Sequence, residues 1–228
     1  MTGAPHLEIW HSEGNVQVQA WANSVVNIEA TIASVATRDD LARHFAEETH
    51  VNVEQEGAHF EVVTQYPEIE DVGFRVDYSI SVPVNSRIFV SNSFGDTFIE
   101  GIEGRVTVES SQGKVELRDL GGSVRMTGRG SFDLVAQGLR RGGSFTLQGM
   151  QAYFSDVSGT LNVSNFVGPV ELRSLGRNID ATIIGENGPV WLYVPRRSAV
   201  DLDATAEGEG ASIESDLDLD RGTLGSVR

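Results

Sequence analysis

Between residues 87 and 194 the apolar and polar positions repeat as one short unit. It reads glycine, any residue, apolar, polar, apolar, then a lone apolar residue, a second glycine and a second apolar pair. Two copies show it plainly: Gly113-Lys-Val-Glu-Leu-Arg-Asp-Leu-Gly-Gly-Ser-Val-Arg-Met and Gly168-Pro-Val-Glu-Leu-Arg-Ser-Leu-Gly-Arg-Asn-Ile-Asp-Ala. Three rows keep nearly one period. The lone apolar residues Ile102, Leu120, Leu139, Val157 and Leu175 advance by 18, 19, 18 and 18 residues. The leading glycines Gly95, Gly113, Gly130, Gly149, Gly168 and Gly188 advance by 17 to 20. The pairs Val106/Val108, Val124/Met126, Phe145/Leu147, Leu161/Val163 and Ile179/Ala181 form the third row.

Inside each pair the spacing is two, which is the period of a strand and not of a helix. The residues in these segments are strand formers, and glycine supplies the positive φ that sharp corners need. A short strand with one apolar face is not stable alone. Copies laid in register hydrogen-bond at about 4.8 Å and stack their apolar residues into ladders along one core. The pattern therefore predicts an all-β chain built on a parallel β-solenoid of about six coils, triangular or flattened in section. A β-sandwich of hairpins is the rival; the near-constant period favours the solenoid.

Ahead of the repeat the pattern changes. Leu7/Ile9, Val16/Val18 and Val26/Ile28 alternate as strands, with Glu13-Gly14-Asn15 as a hairpin turn. Trp10 and Trp21 are expected to pack on each other or on the helix that follows. That helix runs from Thr37 to about Glu48, with Thr37 as cap, Asp39 and Asp40 in the first turn, and Leu41 and Phe45 on one face. Val51/Val53 and Phe60/Val62 make a strand pair around Glu56-Gly57, and Phe74 to Val82 alternate cleanly into Pro83. The expected organisation is an antiparallel β region with one helix over 1–83, capping a β-solenoid over 84–228 whose end is acidic. An uncovered solenoid end would expose unpaired backbone groups.

Composition narrows the partners. The chain has 228 residues and a net charge of −16. Nucleic acid and anionic membrane both reward clustered positive charge, so neither is expected as a partner. There is no cysteine, which excludes disulfides and thiolate metal sites. No apolar run reaches the length of a membrane span, and Met1 to Ile9 lacks the basic end and apolar core of a signal peptide. The expected compartment is the cell envelope if a leader or anchor has been removed, and the cytoplasm if the chain is complete.

The residues also resemble a known family. Gly14-Asn-Val-Gln-Val with Trp21 behind it, Ser81-Val-Pro83, the Gly-x-Val-x-Leu units and Val190-Trp-Leu-Tyr-Val-Pro195 look like the bacterial "putative adhesin" β-solenoid family of unknown function. They are also similar to the related head domains named for Gly-Ile-Asn motifs. The likeness covers nearly the whole chain. Its motifs are structural glycines and apolar alternations. It implies a β-solenoid, a link to the cell envelope, and no transferable catalytic residue.

Candidate chemistry is sparse. Asp216, Asp218 and Asp220 have the 1-3-5 spacing of a calcium loop, but glycine falls late at Gly222 and Val227 stands where the closing glutamate belongs. They read as a solvated acidic edge, and as the weak candidates for a metal. The histidines His6, His11, His44, His50 and His59 all precede the repeat, His44 and His50 are not spaced for one helical face and no His-Glu-x-x-His occurs, so no zinc site is expected, and no cofactor motif appears. Trp191 and Tyr193 alternate with Val190, Leu192 and Val194, so they should face outward. Arg173 and Tyr153 occupy outward places in preceding copies. Exposed aromatics flanked by charge can stack on sugar rings or grip a protein. The expected function is a non-enzymatic structural or interaction module of the adhesin type, presenting its faces to a protein or glycan partner. The alternatives are self-association into filaments, and a polysaccharide-active enzyme using Asp133, Glu171 and Arg173.

Overall fold

The computed structural model describes residues 3–69, 72–130 and 132–194, with Ser212 and Glu214 beyond them; for 174–178 it describes the backbone. The chain divides into a compact unit, Met1–Tyr193, and a second, Val194–Arg228. The first unit opens with β1 (His6–Glu13), β2 (Val16–Trp21) and β3 (Asn27–Val35), followed by α1 (Asp39–Glu48). Then come β4 (His50–Glu56), β5 (His59–Gln65), β6 (Gly73–Pro83), β7 (Arg87–Phe94), β8 (Thr97–Glu100), β9 (Val106–Gln112) and β10 (Val115–Arg118). The rest are β11 (Val124–Arg129), β12 (Asp133–Gln137), β13 (Gly142–Gln148), β14 (Gln151–Val167), β15 (Val170–Asn187) and β16 (Val190–Leu192).

These strands form one sheet, and fourteen of them lie on a single path: β3-β6-β2-β8-β10-β12-β14-β13-β11-β9-β7-β1-β5-β4. The long β14 joins the two limbs. Gln151 to Ser155 pair with β12, and Thr160 to Asn165 pair with β13. The ladders at the two ends, β3–β6 and β4–β5, are antiparallel, and the others are parallel. All-β with one short helix is therefore the observed class, but the expected solenoid of about six coils is not. The sheet is mixed, barrel-shaped and nearly closed, with β3 and β4 as its unjoined ends. The reason lies in non-local pairing. β1 inserts between β5 and β7, and β2 between β6 and β8. No repeat pattern announces those partners. The hairpin sandwich is not observed either; among the described residues, β4–β5 is the hairpin.

The repeat does set register between parallel neighbours. Val106 faces Val124 and Val115 faces Thr97, as the rows predict, but Val115 also faces Leu134 and not Phe132, so the leading-glycine row slips by two at Gly130. The third row slips by two residues, because Met126 faces Phe145 and Gly159 faces Ile179. Ile102, Leu120, Leu139 and Val157 are wholly buried in one ladder, each contributing about 1.5–3 kcal/mol of burial.

Two columns of polar or backbone atoms hold the corners. Gly14, Gly95 and Gly113 all have φ near +130°, and a Cβ on Gly113 would lie 2.0 Å from the Gly95 carbonyl oxygen. Beside them the buried Asn92 amide donates to the Gly14 and Gly95 carbonyls, both at 3.1 Å. Asn165 repeats the device, donating to Met150 at 2.9 Å and Gly168 at 3.1 Å. Gly14 is thus a corner between limbs, not the predicted hairpin turn. The helix also starts later than predicted: Arg38 is the N-cap, no side chain caps it, and α1 lies against β3.

Candidate functional site

The outer side of β14, β15 and β16 is set by alternation. Ala152 and Phe154 are buried on β14, and Val170 and Leu172 on β15. Their neighbours must therefore project from the other side. Register then lines up Tyr153, Glu171 and Trp191 across three strands. Leu172 faces Leu192, so Arg173 comes beside Tyr193. The structure brings together the four residues singled out from the sequence, Tyr153, Arg173, Trp191 and Tyr193.

Charge fixes their geometry. The Arg173 guanidinium donates from Nε to Glu171 Oε1, and its Cζ sits 4.8 Å over the Tyr193 ring, a cation–π contact. The hydrogen bond to Glu171 is the chief cause that raises the Arg173 pKa, so this cation is permanent. Glu171 is only 7% exposed, held between the aromatic neighbours. Trp191 is 45% exposed and Tyr193 50%, so both keep a ring face open to a ligand. Tyr153 donates its hydroxyl to Gln151 Oε1 at 3.0 Å. Val190 departs from the expectation: its register partner Val170 is buried, yet it is 43% exposed, because β16 ends the sheet among the described residues. Asp216, Asp218 and Asp220 lie outside the described residues.

A second surface feature was not legible. A shallow groove of about 480 Å³ runs over β1, β7 and β9. Trp10 lines it and tilts against Phe89 at 4.8 Å; it packs on neither Trp21 nor the helix. Trp21 instead donates its indole N–H to the Val25 carbonyl at 2.9 Å. Arg87, Arg105 and Glu109 also line the groove, with His6 and Glu8 at one end. The outward alternation of His6, Glu8 and Trp10 around Leu7 and Ile9 was the available signal. Which strands would flank them was not.

Inside the sheet, His11 Nδ1 meets Thr64 Oγ1 at 3.1 Å, and Thr64 meets the Tyr78 hydroxyl at 2.7 Å. Burial pushes the His11 pKa down, partly offset by backbone groups and Asp77. Burial also raises the Tyr78 pKa. This trio ties β1, β5 and β6 together from the interior.

No protein-family model matches the chain, and no curated protein matches it. Among solved structures it is similar to a crystal structure from Clostridium sporogenes described as "a putative cell adhesion protein". The identity is 13% and the TM-score 0.47, over 83% of this chain and 93% of that one. A likeness this distant establishes neither a family nor a partner.

Proposed function

We propose that this chain is a non-enzymatic, adhesin-like interaction module that grips a glycan on the outer face of β14, β15 and β16. The carrying observation is the alignment of half-buried Tyr153 with the exposed Trp191, and of the exposed Tyr193 beside Arg173, around the Glu171–Arg173 ion pair. Two strand spacings set the first and last rows about 10 Å apart. Aromatic faces at that separation suit stacking on every second ring of an extended glycan, with the exposed Arg173 guanidinium beside them to donate to hydroxyl groups.

The enzymatic alternative is weaker on distance. Asp133 faces Gln151, whereas Glu171 faces Tyr153, so the two acids are two strands and two residues apart. That is about 12 Å from strand geometry, beyond the roughly 5–9.5 Å that separates the carboxyl pairs of glycosidases. Filament formation through the β4 edge is opposed by Glu54 and Glu56, both exposed there.

A glycan array with the full chain tests the proposal, followed by Trp191→Ala and Tyr193→Ala. Both rings are about half exposed, so melting should stay within about 2 °C while binding to the array hits is lost. Binding that survives both substitutions refutes this face as the site. Capture of proteins but no glycan would move the partner to the protein class.

A further inference from the structure

One end of the groove carries donors of metal-binding type from two strands. His6 and Glu8 are two residues apart on β1 and share its outer side, while His59 on β5 is the register partner of His6. The candidate donor atoms of all three lie within 4.8 Å of one another. The two imidazoles approach Nδ1 to Nδ1 at 3.1 Å, with ring centroids 4.9 Å apart and the rings edge to face. His6 Nε2 is 3.4 Å from Glu8 Oε1. Each residue is partly exposed, so an ion can reach it from solvent.

We propose that His6, His59 and Glu8 bind one transition-metal cation, with Zn²⁺ the best match. Tetrahedral Zn²⁺ holds nitrogen donors at about 2.0–2.1 Å, which places neighbouring donors about 3.3 Å apart. The 3.1 Å separation of the imidazole nitrogens is close to that edge. Glu8 Oε1 now lies against His6 Nε2, and donor atoms of the three residues lie within 4.8 Å of one another, so joining the Nδ1 pair on one ion requires the partly exposed glutamate to swing toward His59. Without an ion the imidazole pair is an N–H···N hydrogen bond in which one ring must donate. An ion displaces that proton and makes both nitrogens ligands.

The surrounding charges act in both directions. Glu61 on β5 stands opposite Glu8, and on β4 Glu54 and Glu56 stand opposite Glu61 and His59. These carboxylates favour a cation. Arg87 stands opposite His6 on β7 and disfavours one. Burial first, then His59 and Arg87, lower the His6 pKa against the pull of Glu8. Imidazole suits Zn²⁺, Cu²⁺ or Ni²⁺ and not Ca²⁺ or Mg²⁺. Three protein ligands leave a fourth position for water.

The test is calorimetric titration of the full chain with Zn²⁺ at pH 7.5, with Ca²⁺ as control. One equivalent of Zn²⁺ should bind and raise the melting temperature, while Ca²⁺ at this site gives no heat. Glu8→Gln should weaken binding at least about tenfold, and His6→Ala with His59→Ala at least about 100-fold, since even residues that only support ligands contribute on this scale. Unchanged Zn²⁺ heat in the double variant overturns the site, as does no heat in the unaltered chain. A second measurement avoids substitution. At one equivalent of Zn²⁺, two histidine ring signals in the NMR spectrum should shift, with those of His11, His44 and His50 unmoved. Shifts confined to those three overturn it.

Discussion

Replacing Gly113 and Gly57 by alanine compares one substitution in two surroundings. Both glycines have positive φ, +133° and +64°. At Gly57 nothing lies within 4 Å of the added methyl, so the loss is the left-handed backbone cost of about 1–2 kcal/mol. At Gly113 the methyl would sit 2.0 Å from the Gly95 oxygen and 2.4 Å from its carbon. Ordinary contact is about 3.5 Å, so β10 must move roughly 1.5 Å away from β8. That movement strains the Thr97 N–H bond to the Lys114 carbonyl and the Lys114 N–H bond to Asp96 Oδ1, both 2.9 Å. Backbone strain of about 1–3 kcal/mol, overpacking of about 1–3 and about 1 for each of the two weakened bonds combine to about 4–8 kcal/mol. Against the roughly 1–2 kcal/mol of Gly57→Ala the difference is about 3 kcal/mol even toward the low end of that range. With a urea slope of about 2–3 kcal/mol per molar, the two midpoints should differ by about 1–1.5 M. Unfolding followed by tryptophan fluorescence measures this. Midpoints within about 0.3 M of each other would refute the argument that corner glycines are required by carbonyl contact and not by φ alone.

Other outcomes follow from the same structure. Leu120→Ala in the wholly buried ladder should lower stability by about 2–5 kcal/mol, measured by urea unfolding. Asn165→Leu removes the donor from the Met150 and Gly168 carbonyls and should destabilise by about 2–3 kcal/mol. A smaller loss, below about 0.5 kcal/mol, would show that those carbonyls find other donors. His11 has a folded pKa below its unfolded value near 6.5, so the unfolded chain takes up the proton first. Its contribution is present above pH 6.5 and is lost as pH falls from there toward the lowered folded value. His11→Phe should flatten that part of the decline in urea midpoints taken from pH 7.5 to 5. Parallel declines in variant and parent would show that other groups carry it.

What could be read in advance follows from locality. Alternation along a strand depends on nearest neighbours, so the projection of Trp191 and Tyr193 away from the side of Leu192 follows from the sequence alone. The period near 18 residues carried the register of parallel neighbours because each corner glycine approaches a carbonyl of an earlier corner. The row slipped at Phe145 because Gly142 and Gly143 in β13 offer no side chain to mark the position facing Val124. The N-terminal pairing left no trace, since Leu7 is apolar in any partner's company. The hairpin expected at Gly14 and the cap expected at Thr37 both failed where a distant strand or a turn geometry decided the outcome. The His6–His59 contact was equally hidden, because 53 residues separate the two rings. Only the register of β1 with β5 joins them.

The insertion of β1 beside β7 has a consequence for how the molecule is made. Residues of β1 and β2 leave the ribosome 81 positions ahead of the strands beside them, β7 and β8. A nascent chain halted near Pro83 has β1 and β2 each lacking one flanking strand, with Leu7, Ile9, Val16 and Val18 in search of cover. Those first segments are where a chaperone would be expected to hold the growing polypeptide, and early termination there should yield insoluble product.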